Sequence, residues 1–176
     1  FCEQKADGIF YEGVKVVVDA KIAARVAQAR TGLEPLAKRN LGYAETTLTP
    51  DRISESNLAN ALTDVFRDFA GADITFLNTG GLRAPLMAGP ISYEDLFRVM
   101  PFGNHAFTIG PMDAASVLAL LERSVRTCGA YGALMQSGLR VEFERDCGNA
   151  EAMDAASSKL LHVETLKGEV LFDRKQ

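Results

Sequence analysis

The chain is poor in the residues that most often mark a catalytic centre. It holds two histidines, His105 and His162, far apart and in no H-x-H or H-E-x-x-H pattern, which leaves no case for a metal site. Its three cysteines, Cys2, Cys128 and Cys147, match neither a zinc nor a C-x-x-C spacing. Buried or incidental thiols are therefore the expected reading, with a disulfide between Cys128 and Cys147 as the open alternative. No run of roughly 18 or more apolar residues occurs, so no segment is expected to span a membrane. There is no excess of positive charge: the net charge is -4 and the pI about 5.2, which argues against general nucleic-acid binding. No signal-peptide pattern opens the chain, and a start at Phe1 without Met suggests a processed chain or an excised fragment.

The 176 residues, 47% apolar and 24% charged, suffice for one domain with a substantial core. The stretch that organises them is ITFLNTGGLRAPLMAGPISYEDLFRVMPFG, residues 74–103. Ile74 to Leu77 has the length and β-rich composition of a buried strand. Asn78-Thr79-Gly80-Gly81 ends it, and two glycines let a backbone turn tightly and approach a ligand closely. Arg83 follows with a fixed charge and a planar fork of donors. A helical segment leads on to Pro101-Phe102-Gly103, an aromatic ring on a sharp turn. An amide, open backbone, a guanidinium and an aromatic plane suit a planar, anionic, hydrogen-bonding ligand such as a nucleotide.

In chain order, residues 1–13 read as an unstructured lead-in, and residues 14–30 as a helix with Val14, Val17, Val18, Ile22 and Val26 on one face. Residues 38–49 read as extended. A helix from Glu55 to Phe69 presents Leu58, Ala61, Leu62, Val65, Phe66 and Phe69, with Gly71 placed to stop it. Ser92 can cap a short helix ending near Met100, and Ala106 to Ile109 reads as a strand. Asp113 can cap a helix to Cys128 with Gly129 past its end; Leu139 to Phe143 alternates as a strand; residues 147–158 form a polar loop. Leu160–Leu166 and Glu169–Phe172 flank Lys167-Gly168 as a hairpin. Helices interleaved with short strands imply an α+β domain with a mixed sheet covered by helices.

Taken singly, these residues say little. Gly80-Gly81 is neither G-x-G-x-x-G nor G-x-x-x-x-G-K-S/T. Arg52 and Arg83 have the usual reading of solvated charges, and a lone phenylalanine such as Phe102 is more often core. No G-x-S-x-G and no cluster of Asp and His suited to two metals is present. From these residues alone, the chain is expected to be a binding domain without catalytic machinery of its own.

Three ordered blocks carry a resemblance. Asn78-Thr79-Gly80-Gly81-Leu82-Arg83, Gly89-Pro90-Ile91-Ser92 and Met100-Pro101-Phe102-Gly103-Asn104 resemble N-x-G-G-(I/L)-R, G-x-I-(S/T) and P-F-x-N. Upstream, residues 52–60 (RISESNLAN) look like R-x-x-E-(S/T)-N-(L/M)-(G/A)-N. This order is similar to the C-terminal domain of the 5'-nucleotidase / UDP-sugar hydrolase family, over about residues 14–172.

The resemblance implies a single domain over 14–176 that binds the nucleoside part of a substrate. A separate N-terminal metallophosphoesterase domain with two divalent metals would hydrolyse the phosphate. It implies no cofactor or catalytic residue in this chain, inactivity of the chain alone, and a periplasmic, secreted or cell-surface setting. Arg52 and Arg83 would contact the ribose or a carboxyl-like edge, and Asn78 would hydrogen-bond the base. Gly80 and Gly81 would allow close approach, and Phe102 would stack. A 2',3'-cyclic-nucleotide phosphodiesterase or UDP-sugar hydrolase is the neighbouring alternative; a non-catalytic interaction or dimerisation module is the alternative of another kind. The family's second aromatic, in a segment like N-(Y/F)-(L/I)-A-x-G-G-D-G-(Y/F), does not occur before Gln176, so the domain is expected to be truncated there.

Overall fold

The structure is a computed structural model describing residues 2–5, 8–52, 54–103, 105–128, 133–147 and 157–175. Gly129, Asn104 and most of the loop expected over 147–158 lie outside the described residues. The chain divides into two compact units, Phe1–Arg39 and Asn40–Gln176.

In the first unit, residues expected as an unstructured lead-in carry strands β1 (Cys2–Lys5) and β2 (Gly8–Tyr11), and β3 (Val14–Lys15) completes an antiparallel sheet in the order β1-β2-β3. The helix expected over 14–30 instead runs as α1, Ala20–Ala37. The reason is local. Val16-Val17-Val18 is a β-branched run with poor helix propensity. Asp19 then caps the helix, its Oδ1 accepting from the Lys21 and Ile22 amides at 2.8 and 3.0 Å. Pro35 lies inside the helix, where it has no N–H to bond the Thr31 carbonyl, and the helix ends two residues later. No residue of α1 is buried, and the expected inward face (Val17, Val18, Ile22, Val26) is exposed.

The second unit is a mixed α/β fold of small antiparallel ladders covered by helices. Strand β4 (Asn40–Ala44) pairs with β6 (Gly89–Ser92), β5 (Thr75–Asn78) with β7 (Leu134–Ser137), and β9 (Lys159–Thr165) lies between β8 (Leu139–Glu144) and β10 (Val170–Asp173). Helix α2 is Asn57–Ala70, α3 Tyr93–Val99 and α4 Ala114–Arg126. Two apolar clusters hold it together. One joins Val117, Leu121 and Val125 of α4 to Leu139, Leu160 and Val163 of the three-stranded sheet; the other joins Leu58 and Ala59 of α2 to Leu82, Leu86 and Val99. Strand β5 serves both: Phe76 packs on the first cluster and Leu77 on the second, the alternation of a strand covered on both faces.

Several expectations shift here. The buried face of α2 is Leu58, Ala59 and Thr63, whereas Val65 and Phe69 are exposed, Phe69 at 85%. Thr63 is accommodated because its hydroxyl donates to the Ala59 and Asn60 carbonyls. No strand forms over 106–109, and Phe107 is 85% exposed. Strands β6 and β7 stand where none is expected. Phe143 leaves the Leu139–Val141 side because the β8–β9 register shifts after Glu142. Cys128 and Cys147 form a disulfide, the alternative to incidental thiols, with Cα atoms 5.7 Å apart. The hairpin at Lys167-Gly168 stands as expected, with Gly168 at φ +84° and its amide donating to the Thr165 carbonyl at 2.9 Å.

Candidate functional site

The site grows from the end of β5. Asn78 closes the strand with an exposed side chain, and Thr79–Gly81 form one turn of 3₁₀ helix. The Thr79 amide donates to the Ala133 carbonyl at 3.0 Å, tying the turn to the segment before β7. Neither Gly80 nor Gly81 has a positive φ, so the turn does not need glycine for its conformation. A Cβ on Gly81 would meet the Asn78 amide at ordinary contact distance, 3.6 Å. Gly81 is buried, and Gly80 is the half-exposed position of the turn beside Asn78. The buried Thr79 hydroxyl has no hydrogen-bond partner among the described residues.

Leu82 is buried in the second cluster, which turns Arg83 outward. The Arg83 amide donates to the Val99 carbonyl at 2.8 Å, binding the glycine turn to the end of α3. Two residues beyond Met100, Phe102 is 48% exposed, and the Arg83 Cζ lies 5.8 Å from its ring centroid. A guanidinium so placed gains about 0.5–1 kcal/mol from the ring face at an exposed site. The structure thus brings Asn78, Gly80, Gly81, Arg83 and Phe102 into two hydrogen-bonded turns. Arg52 is exposed, and no described contact joins it to the other five residues.

Helix α3 sets the position of Phe102, and its start is a capping box. The Asp95 amide donates to Ser92 Oγ at 3.2 Å, and the Ser92 amide donates to Asp95 Oδ2 at 2.9 Å. Hydrogen bonds from the Ser92 hydroxyl and amide hold the Asp95 carboxyl below its ordinary pKa. A folded-state value below the unfolded one contributes stability above the ordinary aspartate range and loses it as pH falls through the lowered value. Ser92→Ala is therefore expected to cost about 1 kcal/mol at neutral pH. Urea melts should show the gap from wild type narrowing below about pH 4; a gap unchanged at acid pH would remove the carboxylate from the cap.

The block at 52–60 acts structurally more than its polar residues suggest. Ser56, buried, accepts from the Ala59 amide at 3.1 Å and donates to the Thr49 carbonyl at 2.9 Å. Asn57 Oδ1 accepts from the Thr49 amide at 2.8 Å. Leu48 and Leu86 exchange backbone hydrogen bonds at 2.8 Å in both directions. The start of α2 is in this way stitched through residues 47–49 to Leu86, in the segment between Arg83 and β6. Asp51 accepts from the Ser54 amide, and Asp51 also acts electrostatically on Arg145. The Arg145 guanidinium caps α4 through the Val125 and Ser124 carbonyls at 3.0 and 3.1 Å, and burial lowers its pKa. Sequence spacing does not flag Arg145, which sits 20 and 21 residues from the carbonyls it meets.

The model of the 5'-nucleotidase C-terminal domain family matches residues 22–154. The chain belongs to that family. Relatives of this 5'-nucleotidase C-terminal domain include the NAD 5'-nucleotidase of Haemophilus influenzae, 28% identical over 116 residues that cover 64% of this chain and 19% of that protein. Protein UshA of Yersinia enterocolitica is 42% identical over 93 residues, 51% of this chain and 17% of that protein. Among solved structures, the 5'-nucleotidase precursor of Thermus thermophilus superposes with a TM-score of 0.59 at 25% identity, covering 89% of this chain and 34% of that one. The Haemophilus influenzae NAD nucleotidase shares the fold, with a TM-score of 0.56 at 21% identity over 91% of this chain and 32% of that one. The chain thus spans less than a fifth of these two curated relatives and about a third of the solved structures. Among the described residues no three of His, Cys, Asp or Glu gather to hold a metal, so no two-metal donor set can be assigned to them. No described helix is long and apolar enough to cross a membrane.

Proposed function

We propose that this 5'-nucleotidase C-terminal domain binds the nucleoside part of a nucleotide and presents its phosphate to a separate two-metal catalytic domain outside this chain. The observation that carries the reading is the Arg83–Phe102 pair, a guanidinium 5.8 Å from a half-exposed ring on two turns that share a backbone hydrogen bond. In this reading Phe102 stacks on the base, while Arg83 and Asn78 supply donors to the ribose or base edge. Gly80 and Gly81 allow close approach, with Gly80 the half-exposed one of the two, and Arg52 contacts the substrate from the segment that precedes α2. The domain's task is positioning: with the phosphate chemistry elsewhere, shape, stacking and donors are what this half must provide. The disulfide favours an extracytoplasmic setting, since such bonds persist in oxidising compartments.

The test is nucleoside and nucleotide binding to the full-length protein, wild type against Phe102→Ala, with adenosine, uridine and their monophosphates. Loss of stacking is worth about 1–3 kcal/mol, roughly five- to 150-fold in Kd. An equal loss for nucleoside and monophosphate would place the phosphate away from Phe102. Unchanged affinity would sink the stacking role and favour the non-catalytic interaction module.

A further inference from the structure

Arg83 and Phe102 are set against each other by buried anchors. Leu82 and Val99 both lie in the second cluster, and the Arg83 amide donates to the Val99 carbonyl at 2.8 Å. Three residues beyond Val99, Phe102 follows Pro101, whose ring fixes φ and narrows the directions the chain can take. The Arg83 guanidinium lies over the Phe102 ring, 5.8 Å from its centroid, while Phe102 stays half-exposed. One face of the ring therefore carries a cation, and the opposite face is the one left for a planar ligand.

That cation is uncompensated. The charged groups of α3 are committed elsewhere: Arg98 pairs with Glu94 at 2.6 Å, and the Asp95 carboxylate accepts from Ser92 in the capping box. Among the described residues no carboxylate pairs with Arg83. Arg52, which the nucleoside reading also places at the substrate, has none among them either. A base stacked on the open face of Phe102 has its centre roughly 10 Å from the guanidinium. At that separation, repulsion between two like charges at an exposed site changes an equilibrium about two- to fivefold. A neutral base feels no such repulsion. Without Arg83 the preference turns the other way, since a bare aromatic face attracts a cationic ring.

We propose that Arg83 is a specificity-determining residue, which sets the Phe102 site for uncharged bases and disfavours cationic ones such as N-alkylated purines. The inference rests on the nucleoside reading above and names the class of base that site takes. Charge acts across the ring, so this role adds to the donors that Arg83 offers the ribose. The test is equilibrium binding of adenosine, N6-methyladenosine and 1-methyladenosine to the full-length protein at neutral pH and low ionic strength. The two methylated nucleosides are isomers, and only 1-methyladenosine is positively charged there. The Kd ratio of the cationic to the neutral isomer should be about two- to fivefold larger in wild type than in Arg83→Gln. Arg83→Lys should keep the wild-type ratio, and Arg83→Glu should push it below that of Arg83→Gln. Raising salt to about 0.5 M should shrink these differences, as screening requires. Comparing ratios cancels both the affinity a variant loses through its ribose contact and the different placement of the methyl group. Adenosine binding with one and the same isomer ratio in wild type, Arg83→Gln and Arg83→Glu would overturn this inference alone. No binding of any of the three nucleosides by wild type would overturn the nucleoside reading, and this inference with it.

Discussion

Gly138→Ala is expected to cost the folded state at least about 4 kcal/mol, the range reached by few single substitutions. Gly138 joins β7 to β8, where the chain leaves one ladder and enters another. Its φ is +104°, a region that residues with a Cβ rarely adopt. A Cβ there would lie 2.1 Å from the Asp73 carbonyl oxygen and 3.1 Å from the Ile74 Cα, all backbone atoms that no rotamer change can relieve. Gln136 clamps the same corner, its side chain accepting from the Leu139 amide at 3.1 Å and donating to the Leu139 carbonyl at 3.0 Å. Since single domains are stable by roughly 5–15 kcal/mol, such a loss should leave Gly138→Ala largely unfolded or insoluble. Gly168→Ala is the control: φ is +84° but nothing lies within 4 Å of a Cβ, so only the backbone term applies, about 1–2 kcal/mol. Equal denaturation midpoints for the two variants would refute the steric account.

That corner also marks what the sequence makes legible. Gly71 reads as the stop of a helix and Gly168 as part of a hairpin turn, and both take a positive φ as those readings imply. Gly138 precedes an alternating strand with nothing in its neighbours to announce Asp73, 65 positions upstream, as the backbone it must clear. The same limit applies elsewhere. Helices α3 and α4 are read nearly to the residue because Ser92 and Asp113 cap them with their own side chains, a signal carried in three or four positions. Strands β6 and β7 escape notice because Gly89-Pro90 and Met135-Gln136 lack alternation, and only their partners β4 and β5 make them strands. Local capping is written in the sequence; pairing between distant segments is not.

The candidate site divides along the same line. Asn78, Arg83 and Phe102 stand out as residue types on turns, and the backbone bond from Arg83 to Val99 explains why they belong together. That bond spans α3, so no short motif reveals it. Arg52 belongs to a block whose neighbours Ser56 and Asn57 are committed to holding residues 47–49, which makes that block as much a fastening of the fold as a source of ligand contacts. If the proposed nucleoside pocket holds, substitutions at Ser56 or Asn57 should weaken it indirectly, by loosening residues 47–49 and the Leu48–Leu86 hydrogen bonds that follow the Arg83 turn.

The disulfide carries the other large expected effect. Cys128 and Cys147 close a loop 19 residues in separation, for which the chain-entropy relation gives about 3 kcal/mol. Denaturant melts of the oxidised protein should exceed those of a Cys128→Ser, Cys147→Ser variant by about that amount. A reductant should bring wild type down to the variant and leave the variant unmoved. The link does more than close a loop. It ties the end of α4 to the residue after Asp146, while Arg145 reaches the same helix end through two carbonyls. Reduction should therefore also raise amide exchange at Ser157 and Ser158, which Asp146 holds. If reduction changes neither the melting midpoint nor exchange at those serines, the bond contributes nothing to folding, and the extracytoplasmic reading loses its support within this chain. If both change together, the fold and the ordering of Ser157 and Ser158 through Asp146 depend on the same bond.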